Sequence, residues 1–508
     1  MLAKVRSAAV QGVDAHPIEV EVNVGWGETI IVIVGLPDTA VKESRDRVST
    51  AITNSGYKFS LGRTTINLAP ADVRKEGPSF DLPIALGMLA GSEQMNCDRL
   101  ERFLAVGELA LTGAVRAVKG VLPIALRARA EGREGILVPA TNAPEAAVVA
   151  GLKVYGVRNL REAASFLDGA EALEPVGVDI DRLFEPGNAD AEDFADVRGQ
   201  ESVKRALEIA AAGGHNILLL GPPGSGKSML ARRLPGILPP LTLEEALETT
   251  KVHSIAGLLA PGQALVHRRP FRSPHHTASD AGLLGGNAHP TPGEISVAHH
   301  GVLFLDELPE FKRTVLETLR QPMEEGRVTI SRAAGTVTFP AQFMLIAAMN
   351  PTPDGKMPAE SRSSPREIQA YLGRVSGPLL DRIDIHVEVP PVPFKDMARE
   401  APAESSLAIR TRVVEARQIQ LRRFAGVSAV TCNARMESRL IRRHCRLDDT
   451  ARHQLENAMK DFGLSARAYD RILKVARTIA DLEGAEGISG DHLFEAIQMR
   501  SLDRQIWG

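Results

Sequence analysis

The chain has 508 residues, of which 44% are apolar and 24% charged, a composition typical of a soluble globular protein with about three domains. Its net charge of −3 excludes a global basic field, so any contact with nucleic acid must depend on local patches. Cys97, Cys432 and Cys445 lack the spacing of a disulfide framework or a zinc site, and no apolar run approaches the roughly 20 residues of a membrane span, so a cytoplasmic protein is expected.

Residues 1 to about 170 form the first predicted domain. Residues 18–24 alternate apolar and polar side chains and predict a half-buried strand, whereas the β-branched run 30–34 predicts a strand buried on both faces. Asp38 is placed to cap a helix that continues to Val48. Further strands are predicted over residues 64–68, 107–113 and 136–139, and an apolar helix over residues 84–90. An α+β or α/β domain follows from this pattern.

A serine motif precedes the apolar helix of this domain. Residues 77–81 read Gly-Pro-Ser-Phe-Asp, and the helix is followed by Gly-Glu-Leu-Ala-Leu-Thr-Gly at 107–113. The arrangement resembles the proteolytic domain of Lon-type proteases, in which this serine is the nucleophile and a later lysine is its base. Ser79 matches the serine, but Leu122 stands at the position of the lysine, and Lys119 lies three residues earlier. Because a serine without a base is a poor nucleophile, we predict a non-proteolytic domain in which Ser79 caps the following helix.

The rest of the chain divides into three predicted parts. Residues 171–196 are rich in Asp, Glu, Pro and Gly without a sustained apolar period, and are predicted to form an acidic linker. Residues 197–395 contain alternating strand and helix patterns, and residues 396–508 are predicted to be helical and basic.

Residues 221–228 follow a strand-like run at 216–220 and precede a predicted helix. Strand, Gly-rich loop and helix N-terminus are the context that a phosphate-binding loop requires. The predicted nucleotide-binding residues are Gly221, Pro222, Pro223, Gly224, Ser225, Gly226, Lys227 and Ser228. The backbone N–H groups would hold the phosphates, Lys227 would reach the β- and γ-phosphates, and Ser228 would ligate Mg²⁺. The chain is therefore predicted to bind ATP and Mg²⁺.

A second motif ends a buried strand in two carboxylates. Residues 301–307 read Gly-Val-Leu-Phe-Leu-Asp-Glu. We predict that Asp306 joins Ser228 in holding the metal and that Glu307 orients and polarises the attacking water, because phosphoryl transfer depends on positioning and charge. A plain turn is the alternative for this motif alone, and the phosphate-binding loop in the same chain favours the catalytic interpretation.

The region around these motifs resembles AAA+ ATPases. A Gly-Gln turn and a helix with apolar Val203 and Leu207 precede the phosphate-binding loop, and residues 345–350 predict an apolar strand that ends at Asn350. In that family the polar residue at this strand end is a sensor between the γ-phosphate and the water. The resemblance therefore implies a catalytic role for Asn350.

Two arginines are assigned by the same resemblance. Arg382, in Gly-Pro-Leu-Leu-Asp-Arg, matches an arginine finger that completes the site of a neighbouring subunit. The alternative for Arg382 is a local ion pair with Asp381 or Asp384. Arg467, at the start of the helix predicted over 465–480, matches the second-sensor arginine aimed at the γ-phosphate. Helical spacing places Tyr469, Ile472, Leu473, Ala476 and Ile479 on one face of this helix, and Arg467, Arg471 and Lys474 on the opposite face.

Two insertions narrow the resemblance to the magnesium-chelatase and MCM-helicase branch of AAA+ proteins. One is the basic segment 268–286, and the other is a predicted β-hairpin over 327–339 that turns at 333–335. His275 and His276 are adjacent and have no carboxylate at ligand spacing, so a structural or nucleic-acid contact is favoured over a metal site. The candidate pore residues are Arg272, Arg327 and Arg332.

Taken together, the chain resembles the ComM (YifB) group of bacterial magnesium-chelatase-like ATPases over nearly its full length. The resemblance implies an α/β AAA+ core with a helical C-terminal lid, preceded by a Lon-like domain. It further implies a homo-hexameric, ATP-driven DNA helicase that promotes branch migration on single-stranded or branched DNA during natural transformation. The alternative is a chelatase-like motor that remodels a protein partner. Many members carry a cysteine cluster after the sensor, whereas this chain has Asn-Pro-Thr-Pro-Asp-Gly at 350–355, so no metal role is expected there.

Overall fold

The computed structural model describes residues 2–59, 62–184, 192–286, 290–332, 335–357, 360–393, 403–427, 430–462, 465–500 and 502. The chain divides into two compact units. The first comprises Met1–Glu185, Leu243–His267 and Val337–Phe339, and the second comprises Pro186–Thr242, Arg268–Thr336 and Pro340–Gly508. Part of the predicted linker and most of the predicted hairpin turn lie outside the described residues. Residues 243–267, which the sequence placed in the core domain, are grouped with the first unit.

The strands in chain order are β1 (Leu2–Gln11), β2 (Asp14–Val24), β3 (Ile30–Val34), β4 (Arg63–Ala69), β5 (Phe103–Ala105), β6 (Glu108–Leu109), β7 (Val115–Arg116), β8 (Gly135–Pro139), β9 (Lys153–Val157), β10 (Ile217–Leu220), β11 (Phe271–Arg272), β12 (Gly285–Gly286), β13 (Thr291–Pro292), β14 (Val302–Leu305), β15 (Arg327–Arg332), β16 (Gly335–Pro340), β17 (Met344–Met349) and β18 (Ile385–Glu388).

The α-helices are α1 (Thr39–Asn54), α2 (Asp81–Gly91), α3 (Val121–Ala130), α4 (Ala143–Ala147), α5 (Leu160–Asp168), α6 (Ile180–Phe184), α7 (Glu201–Gly213), α8 (Lys227–Ile237), α9 (Leu243–Ala256), α10 (Asp280–Leu284), α11 (Glu294–Val297), α12 (Arg313–Thr318), α13 (Arg320–Glu325), α14 (Pro365–Leu372), α15 (Gly377–Leu380), α16 (Ser406–Arg423), α17 (Ser438–His444), α18 (Asp449–Phe462), α19 (Ala466–Leu482) and α20 (Gly490–Gln498). Short 3-10 turns lie at Pro78–Phe80, Leu100–Arg102, Phe194–Asp196, Leu308–Glu310 and Asn433–Arg435.

The first unit contains a mixed seven-stranded sheet in the order β3-β4-β2-β1-β5-β8-β9. β1 and β2 pair antiparallel over their full lengths, because a tight turn joins them, whereas β5, β8 and β9 pair parallel. The helix α2 is buried at every residue, as its unbroken apolar sequence predicts. Asp38 caps α1 as predicted, and its Oδ1 accepts a hydrogen bond of 2.7 Å from the Val41 N–H.

Two predictions about the first unit are wrong. The run 30–34 is not buried on both faces: as β3 it lies at an edge of the sheet, and Ile30 and Val34 are 43% and 42% exposed. A β-branched composition favours a strand and does not fix its place in the sheet. Ser79 does not cap α2, because it lies inside the 3-10 turn Pro78–Phe80 that leads into the helix. Asp81, in the first turn of α2, is instead fully buried and bonded to Arg47 and Ser44.

The second unit is built on a parallel five-stranded sheet in the order β11-β14-β17-β10-β18. β10 pairs in parallel with β17 and β18, and β14 pairs in parallel with β17 and β11. Their almost wholly apolar sequences suit strands buried on both faces. Since all carboxyl ends point to one edge, the residues that follow β10, β14 and β17 come together there.

Residues 406–498 contribute α16 to α20 to the same unit. Val413 of α16 and Ile472 and Ile479 of α19 belong to one apolar cluster with Ile217 of β10. The helical region is therefore packed into the core of the second unit. Strands β15 and β16 form a two-stranded sheet, as the predicted hairpin requires, and its turn at residues 333 and 334 lies outside the described residues.

Candidate nucleotide site

The loop between β10 and α8 has the backbone shape that its sequence predicts. Gly224 and Gly226 have φ values of 76° and 91°, in the left-handed region that disfavours other residues. Gly226 is the N-cap of α8, which begins at Lys227. The free N–H groups of the first helical turn and the positive end of the helix dipole therefore lie at this loop, an arrangement that favours an anion.

Lys227 is folded back over the loop. Its Nζ donates hydrogen bonds of 2.6 Å to the Gly221 carbonyl and 2.9 Å to the Pro222 carbonyl, and a third of 3.2 Å to Oδ1 of Asn350. Only 8% of the residue is exposed. Burial lowers the pKa of Lys227, and the negative charge of Asp306 acts in the opposite direction. The ammonium group is thus held between the loop and the end of β17, where it could neutralise a phosphate.

Ser228 and Asp306 form the oxygen pair expected of a metal site. Ser228 Oγ donates a hydrogen bond of 2.6 Å to Oδ2 of Asp306, and Oδ1 of Asp306 accepts one of 2.9 Å from the Glu307 N–H. A hydroxyl and a carboxylate at the edge of a phosphate-binding loop are ligands that Mg²⁺ prefers, since it takes one or two protein oxygens together with phosphate oxygens. The residues present therefore fit a magnesium ion.

Glu307 follows Asp306 in a left-handed backbone conformation, with φ of 51°. Its Oε2 lies 3.3 Å from Nδ1 of His276, and 60% of its side chain is exposed. Together with Asn350, Tyr371 and Arg374, Glu307 lines an open cleft of 540 Å³ beside the loop. The Tyr371 hydroxyl donates a 3.3 Å hydrogen bond to the Asn350 carbonyl, and its burial raises the pKa of Tyr371 to about 12. Tyr371 is therefore a neutral donor that fixes the backbone of Asn350.

Two residues of this site were not assigned by the sequence. His276 contacts Glu307, although a histidine 31 positions away gives no sequence signal of such a pairing. Gln200, of the Gly-Gln turn before α7, donates hydrogen bonds of 2.7 Å to the Ser225 carbonyl and 2.9 Å to the Pro390 carbonyl. It links the phosphate-binding loop to the segment after β18, and its left-handed φ of 59° was the available clue only once the backbone was known.

The loop after Asn350 is held by a single carboxylate. Asp354 accepts hydrogen bonds from Thr352 Oγ1 at 2.6 Å, from Ser361 Oγ at 2.8 Å and from the Arg362 N–H at 2.9 Å. These hydrogen bonds hold the pKa of Asp354 well below its usual range. A hydrogen-bonded turn therefore organises this segment.

Arg382 is engaged within its own chain. Its guanidinium lies 2.7 Å from Oε1 of Glu324 and donates a 2.6 Å hydrogen bond to the Pro378 carbonyl, and only 7% of the residue is exposed. The ion pair is local, as the alternative interpretation required, but its partner is Glu324 and not Asp381 or Asp384. The structure does not bring Arg382 to the phosphate-binding loop of the same chain through any contact among the described residues.

Arg467 lies in the first turn of α19, with one guanidinium nitrogen 3.9 Å from Oδ2 of Asp381. Its side chain is 63% exposed, so it is free to reorient. No contact among the described residues joins it to Lys227. The segment 381–384 thus touches Arg467 through Asp381 and carries Arg382 beside it.

One turn further along α19, Arg471 is bound to the interior. It lies 2.6 Å from Oδ1 of Asp384, whose Oδ2 is 3.1 Å from Nδ1 of His215. Burial alone would raise the pKa of Asp384, but Arg471 and His215 outweigh it and hold the pKa well below its usual range. Lys474 is also buried and donates to the Ala434 carbonyl at 2.9 Å. The expected basic face of this helix is therefore occupied by internal ion pairs and hydrogen bonds, because neighbouring elements cover it.

The candidate pore arginines differ in their surroundings. Arg272 makes a two-point ion pair with Glu294, at 2.6 and 2.7 Å, which fixes β11 to α11. Arg327 pairs with the exposed Glu325 at 3.1 Å. Arg332, at the end of β15, is exposed and donates to the Ser331 carbonyl. Arg332 is thus the best placed of the three for a polyanion.

No helix in the described part of the chain combines the length and apolar character needed to cross a bilayer.

Comparison with known families gives three matches in series along the chain. Residues 20–142 match the family described as subunit ChlI of Mg-chelatase, residues 193–397 match magnesium chelatase, subunit ChlI, and residues 403–500 match the C-terminal part of that subunit. Both units are therefore similar to parts of one group of proteins.

Individual relatives align over almost the whole length. A protein named YifB from Salmonella typhimurium is 48% identical over 99% of this chain and 98% of its own. Competence protein ComM from Haemophilus influenzae is 46% identical over 99% and 98%. The magnesium-chelatase 67 kDa subunit of Chlorobaculum parvum is 29% identical over 46% of this chain and 32% of its own. The similarity to the first two includes the order of all the motifs described above.

Proposed function

The chain belongs to the ComM/YifB family of magnesium-chelatase-like AAA+ proteins, and from this we propose that it is a Mg²⁺-dependent ATPase that acts as a hexameric motor on DNA. The observation that carries the proposal is the meeting of Lys227, Ser228, Asp306 and Asn350 at one edge of the parallel sheet. Chemistry at that edge is phosphoryl transfer, since the residues supply phosphate neutralisation, metal ligands and a polar sensor.

Each residue has a defined part in hydrolysis. The N–H groups of residues 221–228 and the Lys227 ammonium hold the β- and γ-phosphates. Ser228 and Asp306 would hold the magnesium ion, which neutralises charge on the phosphate oxygens when bound. Glu307 orients and polarises the attacking water, and Asn350 holds that water near the γ-phosphate. Tyr371 supports Asn350 through its backbone carbonyl.

We propose that Arg382 and Arg467 complete the site from two directions. Arg467 acts on the γ-phosphate of its own chain, and Arg382 acts on the site of the neighbouring subunit in the ring. The exposure of Arg467 supports its freedom to move. Arg382 would first have to leave Glu324, so assembly of the ring must offer the guanidinium a more negative partner than one carboxylate, such as the triphosphate.

DNA is proposed as the substrate on three grounds. The full-length relative from Haemophilus influenzae is called a competence protein, and the family resemblance implies branch migration of single-stranded or branched DNA. The exposed Arg332 on the hairpin offers a charged contact for a phosphate backbone. A cytoplasmic location follows from this substrate.

The first unit is proposed to be a Lon-like domain without protease activity, and α16 to α20 to form a helical lid. Support for the first statement comes from Leu122, which is fully buried where a base would be required. Support for the second comes from α19, which carries Arg467 at its start and is anchored by Arg471.

A motor that remodels a protein partner is the second candidate, favoured by the match to magnesium-chelatase subunits over both units. One experiment separates the two: ATP hydrolysis measured alone and with single-stranded, duplex and four-way-junction DNA. We expect stimulation by DNA, with an affinity that falls steeply as salt rises, because bound counterions are released. Hydrolysis that is indifferent to every DNA would favour the protein-remodelling candidate.

A further inference from the structure

We infer that His276 is a positioning residue that holds the carboxylate of Glu307 away from the attacking water until the segment carrying His276 is displaced. The inference rests on the proposed ATPase function and adds a control element to it.

The fold brings the two residues together. β11 ends at Arg272 and β14 ends at Leu305, and the two strands pair in parallel with Phe271 opposite Val302 and Arg272 opposite Leu303. Residues that follow parallel neighbouring strands emerge at the same edge of the sheet. His276 lies four residues beyond β11 and Glu307 two residues beyond β14, so the imidazole and the carboxylate meet outside that edge.

The contact is specific in its geometry. Nδ1 of His276 lies 3.3 Å from Oε2 of Glu307. The ring of His276 is packed edge-on against Phe311 with centroids 6.4 Å apart, and against the ring of His275 at 4.1 Å. Phe311 follows Glu307 by four residues, so the strand end that carries Glu307 provides both the carboxylate and an apolar support for the imidazole. Within the residues that the structure describes, His276 is the one ionisable nitrogen group in contact with this carboxylate.

The backbone on each side limits other positions. Glu307 has its left-handed φ of 51°, and its N–H donates to Asp306 Oδ1 at 2.9 Å, which restrains the main chain at this point. On the other side, the 2.6 Å ion pair of Arg272 with Glu294 fixes the start of the His276 segment. The carboxylate therefore swings through its side-chain torsions, and the hydrogen bond from His276 selects one of them.

The chemical consequence concerns only orientation. A water-activating carboxylate must direct an oxygen to the water that stands in line with the γ-phosphate, near Lys227 and Asn350. An oxygen that accepts a hydrogen bond from His276 is directed to the neighbouring loop instead. Because residues 268–286 form a basic segment, contact of that segment with DNA would separate His276 from Glu307 and free the carboxylate. Hydrolysis would then be low in the absence of DNA and higher in its presence.

The test uses the full-length protein with three substitutions: His276→Ala, His276→Asn and, as a surface-histidine control, His453→Ala. His453 lies on α18, where Nδ1 contacts the Asp449 carbonyl at 2.7 Å. Steady-state ATP hydrolysis is measured without and with DNA, together with the affinity for a fluorescent ATP analogue and the melting temperature.

We expect His276→Ala to raise the kcat without DNA by roughly three- to tenfold, the factor that one partly exposed hydrogen bond is worth. Nucleotide affinity should stay unchanged, since His276 touches no phosphate-binding residue. With DNA, the variant and the wild type should reach the same rate. His276→Asn, whose amide can donate the same hydrogen bond, should restore the low rate, and His453→Ala should match the wild type throughout.

A kcat without DNA that falls or stays the same in a folded His276→Ala protein overturns the inference and leaves the proposed ATPase intact. Complete absence of hydrolysis in the wild type overturns the proposed function and the inference together. A double-mutant cycle of His276→Ala with Glu307→Gln, followed by melting temperature, should give a non-additive effect if the two side chains interact. Additive effects would also overturn the inference.

Discussion

The ammonium nitrogen of Lys227 lies 3.2 Å from the side-chain oxygen of Asn350, although the two residues are 123 positions apart in the chain. Lys227 begins the helix after β10, and Asn350 follows β17, the parallel neighbour of β10. The contact joins the phosphate-binding loop to the sensor strand, so a change at the phosphate can be transmitted across the sheet.

Asn350→Ala tests this connection. We expect kcat for ATP hydrolysis to fall by roughly 10²-fold, the loss seen when one preorganised polar group is removed from a reacting centre. Nucleotide affinity should change little, since Lys227 and the loop N–H groups remain. As a control, Asn67→Ala removes an amide bonded to Glu21 on the first unit's sheet and should leave kcat unchanged. An Asn350→Ala protein with normal turnover would show that the sensor role is wrong.

Arg471→Ala should destabilise the second unit strongly. Asp384 is 1% exposed, and removal of Arg471 leaves a buried carboxylate without its closest cation, at a cost of about 3–5 kcal/mol. The melting temperature measures the change. Arg452→Ala breaks an exposed 3.1 Å pair with Asp449 and should cost less than about 1 kcal/mol. Similar melting temperatures for the two variants would contradict the structural account of α19.

Asp384 also predicts a dependence of stability on pH. Its pKa in the folded chain is depressed, so its stabilising contribution is fully present above the unfolded-state pKa of about 4 and is lost as the pH falls further. Asp384→Asn removes this titration. Melting temperatures recorded from pH 6 downward should therefore fall less steeply below about pH 4 in the variant than in the wild type. Parallel curves would be evidence against the depressed pKa.

Ser79→Ala is expected to leave every activity of the protein unchanged. Ser79 lies in a 3-10 turn, where its carbonyl accepts a 2.9 Å hydrogen bond from the Gly107 N–H, and alanine preserves that contact. Peptidase assays with and without ATP, together with ATP hydrolysis, provide the measurement. Loss of an ATP-dependent peptidase activity in the variant would refute this prediction and identify Lys119 as the candidate base.

Mixing variants tests whether Arg382 acts between subunits. Arg382→Ala and Lys227→Ala should each be nearly inactive, because an arginine finger supplies roughly 10³–10⁵ in rate and Lys227 is needed at the phosphates. In mixed rings, some interfaces pair an intact loop with an intact Arg382, so part of the activity should return. Glu324→Gln is a useful companion, since it removes the partner that holds Arg382 within its own chain. Mixed rings that form and remain inactive would show that Arg382 has no such role.

The sequence predicted the site better than it predicted the surroundings of the site. The strand and loop patterns around Lys227, Asp306 and Asn350 carry their own spacing, and parallel strand order then brings their ends together. The partners of Arg382 and Arg471 depend on which helices pack against them, and this long-range packing has no signature in a single sequence. The same holds for the edge position of β3 and for the contact of His276 with Glu307, since both follow from strand order.

ATP hydrolysis by Glu307→Gln is the most direct test of the proposed function. Glutamine keeps the size of the side chain and leaves Lys227, Ser228 and Asp306 in place, but it cannot polarise the attacking water. Turnover in the presence of Mg²⁺ and saturating ATP is compared with that of the wild type, and nucleotide affinity is measured on both proteins. We predict that hydrolysis falls by orders of magnitude while ATP binding is retained. Normal turnover in Glu307→Gln would contradict the assignment of this site as the catalytic centre of an ATPase.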